Sequence, residues 1–152
     1  MKKSRSRPLD FVIDKITNSI ENTSTGEVFD TEIVRLTIKD LKQIKKTDWL
    51  FDWTKEIKDT TKEVYKLTTV NNPTIIQGLL SIEDKQDHIF MHLIESARFN
   101  KHRDKVYVGV PGNLVAYACK VSFDNGYQGF IAFDAKTALM KHYEEMLYAT
   151  HF

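Results

Sequence analysis

A glycine-bearing loop that leads directly into a helix constrains this sequence more than any other feature. It lies within the stretch 105–135. Gly109 and Gly112 bracket a bend that Pro111 stiffens, and glycine permits a positive φ and a close approach of the backbone to a ligand. We therefore predict a loop over 108–113, with a helix beginning at its far end.

The residues after this loop predict a helix, a turn and a strand. One face of the helix carries small or apolar residues at helical spacing, namely Leu114, Val115, Ala118, Cys119 and Ser122. The stretch 124–126, Asp-Asn-Gly, is a stop and turn signal. The apolar stretch 127–133 then predicts a short strand, and 136–147 predicts a further helix.

The start of the predicted helix suits an anionic group. The first N–H groups of a helix lack partners within it, and the helix dipole is positive at that end. A phosphate placed there is held by backbone donors alone. A short glycine motif also occurs at ordinary helix starts, so the residues alone leave both interpretations open.

The first two thirds of the chain predict mainly strands. Segments 9–20 and 27–37 predict an antiparallel hairpin. Segments 62–70, 74–82 and 87–95 predict three antiparallel strands joined by short polar turns.

Between these two groups of strands, 38–57 predicts helices. Thr37 and Asp40 form a capping pair at the start, and Thr47-Asp48 divides the region in two. The aromatic cluster 49–53 predicts a helix packed on the sheet, with a wall of a substrate site as the alternative.

Composition and charge narrow the class of protein. The chain has 152 residues, a net charge of +1 and one cysteine, which predict one domain over 9–152 and a reducing, cytoplasmic location. The segment 1–8 is basic and predicted to be flexible. Neither a membrane span nor a metal motif is predicted, and the near-neutral charge argues against a nucleic-acid partner.

The region 63–147 resembles the Gcn5-related N-acetyltransferase (GNAT) superfamily. That family has a phosphate loop of pattern Arg/Gln-x-x-Gly-x-Gly/Ala between a strand and a helix, and Gly109-Val110-Pro111-Gly112-Asn113-Leu114 is similar to it. The stretch 129–136 resembles the family's second strand, and 142–147 resembles its tyrosine-bearing last helix. The resemblance covers a little over half of the chain.

The resemblance implies an α/β fold with a mixed, mostly antiparallel central sheet flanked by helices. It also implies direct transfer of an acetyl group from acetyl-CoA to a primary amine, without an acyl-enzyme. The acceptor would be a small-molecule or peptide amine, and a homodimer is possible. The implied cofactor-binding residues are Leu93, Ile94, Val108, Gly109, Val110, Gly112, Asn113 and Lys136.

Two residues are candidates for proton transfer. Glu95 lies at the end of a predicted strand and is a candidate base for the amine, directly or through water; an exposed acid or an ion pair with Arg98 or Lys101 is the alternative. Tyr143 is a candidate donor to the leaving thiolate, which the resemblance implies, or else a packed aromatic residue. His88 and His92 are less favoured candidates for the base.

Two other functions fit parts of the sequence. Val106 stands where the family pattern has Arg or Gln, and Pro111 has no N–H to offer a phosphate; both departures favour a non-catalytic, acyl-CoA-binding sensor or scaffold. A nucleic-acid-associated protein could instead use the basic segment together with Trp49 and Trp53.

Overall fold

The structure, a computed structural model, describes residues 19–101 and 105–134. Within these ranges the chain forms seven strands: β1 (Ser19–Asn22), β2 (Val28–Leu36), β3 (Glu63–Thr69), β4 (Gly78–Asp84), β5 (Ile89–Ser96), β6 (Tyr107–Val108) and β7 (Ile131–Phe133). It also forms two α-helices, α1 (Trp53–Lys58) and α2 (Val110–Asp124), and 3-10 turns at Ile38–Gln43, Lys46–Asp48 and Arg98–Asn100. The predicted basic segment 1–8, the hairpin residues 9–18 and the helix 136–147 lie outside the described ranges.

The strands form one sheet in the order β6-β1-β2-β3-β4-β5-β7. Every pairing is antiparallel except the one between β5 and β7, which is parallel. This mixed, mostly antiparallel sheet with helices confirms the predicted fold class.

Each face of the sheet carries its own apolar core. On one face, α2 places Leu114 and Ala118 against strand residues that include Leu67, Leu80 and Met91. On the other face, α1 places Trp53 and Ile57 against Leu36, Val64 and Leu79. The alternation of apolar residues along β3 and β4 assigns them to the two cores, because successive strand residues point to opposite faces.

A bulge in β5 interrupts this alternation. The pairs Ile82–Met91 and Ser81–Leu93 leave His92 without an opposite residue on β4. An extra residue in one strand shifts the facing of all residues after it.

The bulge decides what the end of β5 presents to each face. Met91 and Ile94, three residues apart, both pack in the core beneath α2. Leu93 packs instead in the core beneath α1, and Glu95 contacts Trp53 of the same core. A strand without the bulge would have placed Glu95 on the same face as Met91.

The helical prediction for 38–57 is wrong for most of its length. The predicted capping pair is present, since the Thr37 N–H donates to Asp40 Oδ2 at 2.8 Å. An α-helix forms only over Trp53–Lys58, after two 3-10 turns. The backbone N–H groups of Leu50 and Phe51 donate to the distant Glu95 carboxylate, at 2.6 and 3.2 Å, and are therefore not used in a helix.

Three predicted boundaries also differ. Helix α2 begins at Val110, so Gly112 and Asn113 lie in its first turn rather than in a loop. Strand β4 begins at Gly78 rather than at residue 74. Strand β7 begins at Ile131 because Gln128 and Gly129 adopt positive φ values of 59° and 81°, which form a turn.

Helix α2 packs on the sheet at a point where no side chain intervenes. A Cβ atom added to Gly78 would lie 2.7 Å from Val110 Cγ1, 3.0 Å from Leu114 Cδ1 and 3.2 Å from the Glu95 carbonyl oxygen. These distances are shorter than van der Waals contact, so only glycine lets α2 pack this closely against the sheet.

We expect Gly78→Ala to lower the free energy of unfolding by about 2 kcal/mol, because the added methyl group overpacks the contact. Val110→Ala removes the nearest atom, so the double variant should lose less stability than the sum of the two single losses. Urea unfolding of the four proteins measures this coupling.

Gly126→Ala is the control. A Cβ at Gly126 meets nothing within 4 Å, but the residue has a φ of +84°, so its cost comes from backbone strain. Gly126→Ala should therefore show no coupling to Val110→Ala. Equal coupling for the two glycines would contradict the close packing of α2.

Candidate active site

The parallel strands β5 and β7 pair over only three residues. Their pairing runs from Ile89–Ile131 to Met91–Phe133. Strand β5 continues to Ser96 with β4 still paired on its other side. Over the described part of β7, the edge of β5 beyond Met91 therefore has no strand beside it, and Leu93 and Ile94 lie on this open edge.

The first turn of α2 presents backbone donors near the same end of β5. Gly109 precedes the helix with a φ of 101°, a conformation that glycine permits. Val110 and Gly112 supply N–H groups of the first turn, which helix geometry leaves without partners inside the helix. Pro111, at the second position, has no N–H, and its ring is compatible with a helix start.

The N-terminal strand holds this helix start in place. The side-chain amide of Asn113 donates to the carbonyl oxygens of Gly109 at 2.6 Å and Ser19 at 2.9 Å. Both acceptors are carbonyl oxygens, so the NH2 group of the amide must face them, and Oδ1 points away from them.

Further contacts bind the residues before α2 to the β1–β2 hairpin. Val108 pairs with Glu21 of β1, and the Thr23 N–H donates to the Val106 carbonyl at 2.9 Å. The Thr23 hydroxyl donates to the Lys105 carbonyl at 2.7 Å. Val108 is therefore a strand residue that fixes the helix start.

Two buried polar atoms near this helix start have no hydrogen-bond partner within the described ranges. They are Ser96 Oγ and Asn113 Oδ1, in residues with exposures of 3% and 1%. Ser96 pairs with Gly78, the residue on which Val110 packs. Buried polar groups in proteins are nearly always satisfied, so such atoms indicate a missing partner such as a ligand.

Glu95 is sealed in a network of four donors. Its side chain has 0% exposure and accepts hydrogen bonds from the backbone N–H groups of Leu50 and Phe51. It also accepts one from the Trp53 indole at 2.7 Å and forms an ion pair with the Lys101 ammonium at 2.8 Å. Of the two predicted ion-pair partners, Lys101 is thus the one that binds Glu95.

These contacts determine the charge of Glu95. Burial by itself raises the pKa of the carboxyl group, but the Lys101 ammonium and the donors from Leu50, Trp53 and Phe51 hold it below the usual value for glutamate. Glu95 is therefore ionised at neutral pH, with its two oxygens already occupied by donors.

A groove lies beyond the end of β5 and is lined by three segments. They are 43–49, the β3–β4 connection at 74–76, and Ala97–Phe99, which follows β5 directly. Its volume is about 390 Å³. The Ala97 N–H donates to the Gln77 carbonyl at 2.8 Å, and Arg98 Nη2 donates to the Thr47 carbonyl at 2.5 Å, so the three segments are joined.

The two tryptophans of the aromatic cluster 49–53 lie in different surroundings. Trp53 is 1% exposed and belongs to the core beneath α1, while Trp49 is half-buried and lines the groove. The burial of Trp53 leaves Trp49 as the tryptophan of this pair that a nucleic acid could contact.

The predicted site residues therefore fall into three groups. Gly109, Val110, Gly112 and Asn113 come together at the start of α2, next to the end of β5 with Leu93, Ile94 and Glu95. Val108 supports that start from β6. Lys136 and Tyr143 lie outside the described ranges.

The roles of two residues in this region, Ser96 and Trp53, are not predicted from the sequence. Ser96 gives no signal beyond a polar residue at a strand end. Trp53 carried the signal of an aromatic residue in an amphipathic helix, which did not reveal its indole as a donor to Glu95.

No family model matches the sequence, and no curated protein matches it. Among solved structures, the chain is similar to the aminoglycoside N-acetyltransferase AAC(6')-Iy in complex with CoA, with a TM-score of 0.53 and 13% identity over 82% of this chain and 88% of that chain.

Two structures of an aminoglycoside acetyltransferase from an uncultured soil metagenomic sample are also similar. The complex with trehalose has a TM-score of 0.49 and 13% identity, covering 79% of this chain and 86% of the other. The complex with sisomicin has a TM-score of 0.45 and 14% identity, covering 80% and 86%.

The chain therefore has the fold of the GNAT-type acetyltransferases, as the sequence resemblance predicted. In the described residues, no helix is both long and apolar enough to cross a membrane.

We expect Glu95→Gln to lower the free energy of unfolding at pH 7 by about 3 kcal/mol, because the amide leaves the Lys101 ammonium unpaired and turns an NH2 group toward a donor. The difference in the free energy of unfolding between Glu95→Gln and the wild-type protein should have its full size at pH values above the unfolded glutamate pKa of about 4.3. It should shrink as the pH falls through the lower pKa that Glu95 has in the folded protein.

Urea unfolding between pH 7 and pH 3 measures this difference. Glu27→Gln, a change at an exposed residue of the β1–β2 turn, is the matched control and should leave stability nearly unchanged. A Glu95→Gln protein as stable as wild type at pH 7 would show that the network contributes little.

Proposed function

We propose that this protein is an N-acetyltransferase that transfers the acetyl group of acetyl-CoA directly to a primary amine. One observation carries the proposal: within the described residues no strand pairs with the edge of β5 beyond Met91, and the start of α2 lies against the same strand end. The fold shared with the acetyltransferases supports it, and so does the presence of CoA in one similar structure.

The residues present suit CoA. Backbone N–H groups of Val110 and Gly112 at the positive end of a 15-residue helix would hold the pyrophosphate without a charged side chain. Gly109 and Asn113 would keep these donors in position. Lys136 is proposed as a further phosphate contact on the sequence resemblance alone.

The open edge of β5 would hold the rest of the co-substrate. Backbone groups near Leu93 and Ile94, which no described strand pairs with on this edge, would bind the pantetheine amides in the manner of an added strand and orient the thioester. Ser96 Oγ and Asn113 Oδ1 are buried and unpartnered in the described protein and would gain partners. When bound, acetyl-CoA supplies the activated acetyl group.

Alignment would account for much of the rate. Holding two reactants in a productive geometry replaces a bimolecular encounter with a step within one complex. The groove at the end of β5 would hold the acceptor molecule beside this edge. The amino group of the acceptor must lose a proton before it attacks the thioester.

We propose that Glu95 contributes chiefly as a positioning residue. Three of its four donors, from Leu50, Phe51 and Trp53, join the end of β5 to the segment that carries the two tryptophans. The predicted role as base would use Oε2, which accepts from the Leu50 N–H at 2.6 Å and from Lys101 at 2.8 Å. The Lys101 side chain is 20% exposed and is the donor of this pair that can leave. The lowered pKa makes Glu95 a weak base.

Titration calorimetry with acetyl-CoA tests the proposed function. We expect binding by the wild-type protein and at least about tenfold weaker binding by Gly109→Trp, whose bulk would cover the donors at the start of α2. Gly126→Trp is the matched control, because Gly126 also has a positive φ and its surroundings are open.

The outcomes are separable. Loss of binding in Gly109→Trp but not in Gly126→Trp supports a co-substrate at this helix start, whereas absence of binding to the wild-type protein contradicts the proposal. Binding without acetyl transfer across a broad panel of amines would favour the sensor or scaffold alternative.

The role proposed for Tyr143 is tested separately. If its phenol protonates the leaving thiolate, Tyr143→Phe should lower kcat by about 100-fold and leave the affinity for acetyl-CoA unchanged. Release of CoA thiol measures kcat, and Tyr148→Phe is the control. An unchanged kcat in Tyr143→Phe would assign the proton to another group.

A further inference from the structure

The groove at the end of β5 combines exposed apolar side chains with charges of both signs. Phe99 and Ile75 are 41% and 43% exposed, and half-buried Trp49 lies beside them. Large apolar side chains grouped around a concavity indicate a binding site for an apolar group.

The charged lining residues have capacity to bind a ligand. Within the described ranges, the Lys45 ammonium and the Asp48 carboxylate form no hydrogen bond or ion pair with the rest of the protein. Arg98 uses Nη2 to bind the Thr47 carbonyl, which anchors the side chain. A guanidinium has five N–H donors, so others stay available for a carboxylate.

The balance of charge decides against a polycation. Two cationic residues, Lys45 and Arg98, and one anionic residue, Asp48, line the described part of the groove. A polycationic aminosugar would meet repulsion from two of these three charges. A molecule with one carboxylate and one ammonium would find complementary partners for both.

The size of the groove agrees with a small acceptor. Its volume of about 390 Å³ lies toward the lower end of the range for small-molecule sites. An amino acid or a short peptide with an aromatic or branched apolar side chain fits the combination of volume, apolar surface and charge.

We propose that the acceptor is an amine that also carries a carboxylate and an apolar body, of the amino-acid or short-peptide class. This inference rests on the proposed acetyltransferase function. In the reaction, the amine nitrogen forms a bond to the acetyl carbonyl carbon as the C–S bond breaks. The ammonium loses two protons in all; one is taken up by the CoA thiolate and one passes to solvent.

Matched pairs of acceptors test the proposal. Release of CoA thiol from acetyl-CoA is followed with L-phenylalanine, L-tryptophan and L-leucine, and with phenethylamine, tryptamine and isoamylamine, which lack only the carboxylate. Sisomicin is the polycationic comparison. We expect kcat/KM to be at least about tenfold higher for the best amino acid than for its amine, as one charge-assisted hydrogen bond provides, and lowest for sisomicin.

Lys45→Gln tests the carboxylate contact. It should raise KM for the preferred amino acid by about tenfold, with no such rise for the matched amine. Arg98→Gln also removes the hydrogen bond to Thr47, so it should raise KM for both members of a pair and more for the amino acid. Lys46→Gln is the control, because Lys46 is exposed and adjacent but does not line the groove. Equal effects on both members of a pair would indicate a structural role for these residues and overturn the assignment.

The failure of this inference is distinct from failure of the proposed function. Acetyl-CoA calorimetry establishes the co-substrate independently of any acceptor. If acetyl-CoA binds and sisomicin or the carboxylate-free amines are preferred, the acceptor class is overturned and the acetyltransferase proposal stands. If calorimetry and thiol release detect neither binding nor transfer with the amino acids, the acceptor class is also overturned, and the acetyltransferase proposal stands when another amine of the panel is acetylated. If acetyl-CoA does not bind, both fail.

Discussion

The buried charge of Glu95 is the constraint on which the arrangement of this site depends. A carboxylate with no exposure is tolerated only when strong donors replace its water, and here two backbone N–H groups, the Trp53 indole and the Lys101 ammonium do so. Three of these donors belong to the segment 50–53, and the fourth, Lys101, follows β5 in the chain. The network therefore joins the end of β5 to α1 and to the segment that walls the groove.

Strand β5 is made suitable for a site by two irregularities. The bulge at His92 turns Glu95 toward Trp53 and leaves Ile94 beneath α2. Within the described residues, the pairing with β7 reaches only to Met91–Phe133, and no described strand pairs with the edge of β5 beyond it. In the acetyltransferase that we propose, this edge would bind the co-substrate. Glu95, at the end of the same strand, holds the segment that lines the groove.

Long-range contacts explain where sequence reasoning fell short. The capping pair Thr37–Asp40 was predictable because its partners are three residues apart. The stretch before α1 was not, because Leu50 and Phe51 give their N–H groups to Glu95, 45 and 44 residues further along the chain. Strand β6 was also unpredicted, since two residues carry little periodicity and pair with β1 only in the folded chain.

The sequence by itself determined the three central strands, the turn glycine at residue 109 and the helix after it, because alternation, helical spacing and glycine chemistry are local properties. It also carried the resemblance from which the acetyltransferase fold was predicted. Only the tertiary structure decided that Glu95 is sealed rather than exposed, that α2 starts at Val110 over Gly78, and that Trp49 and Arg98 line one groove. These facts depend on which distant groups meet, and a buried charge, a close helix contact and a groove exist only once the strands have paired.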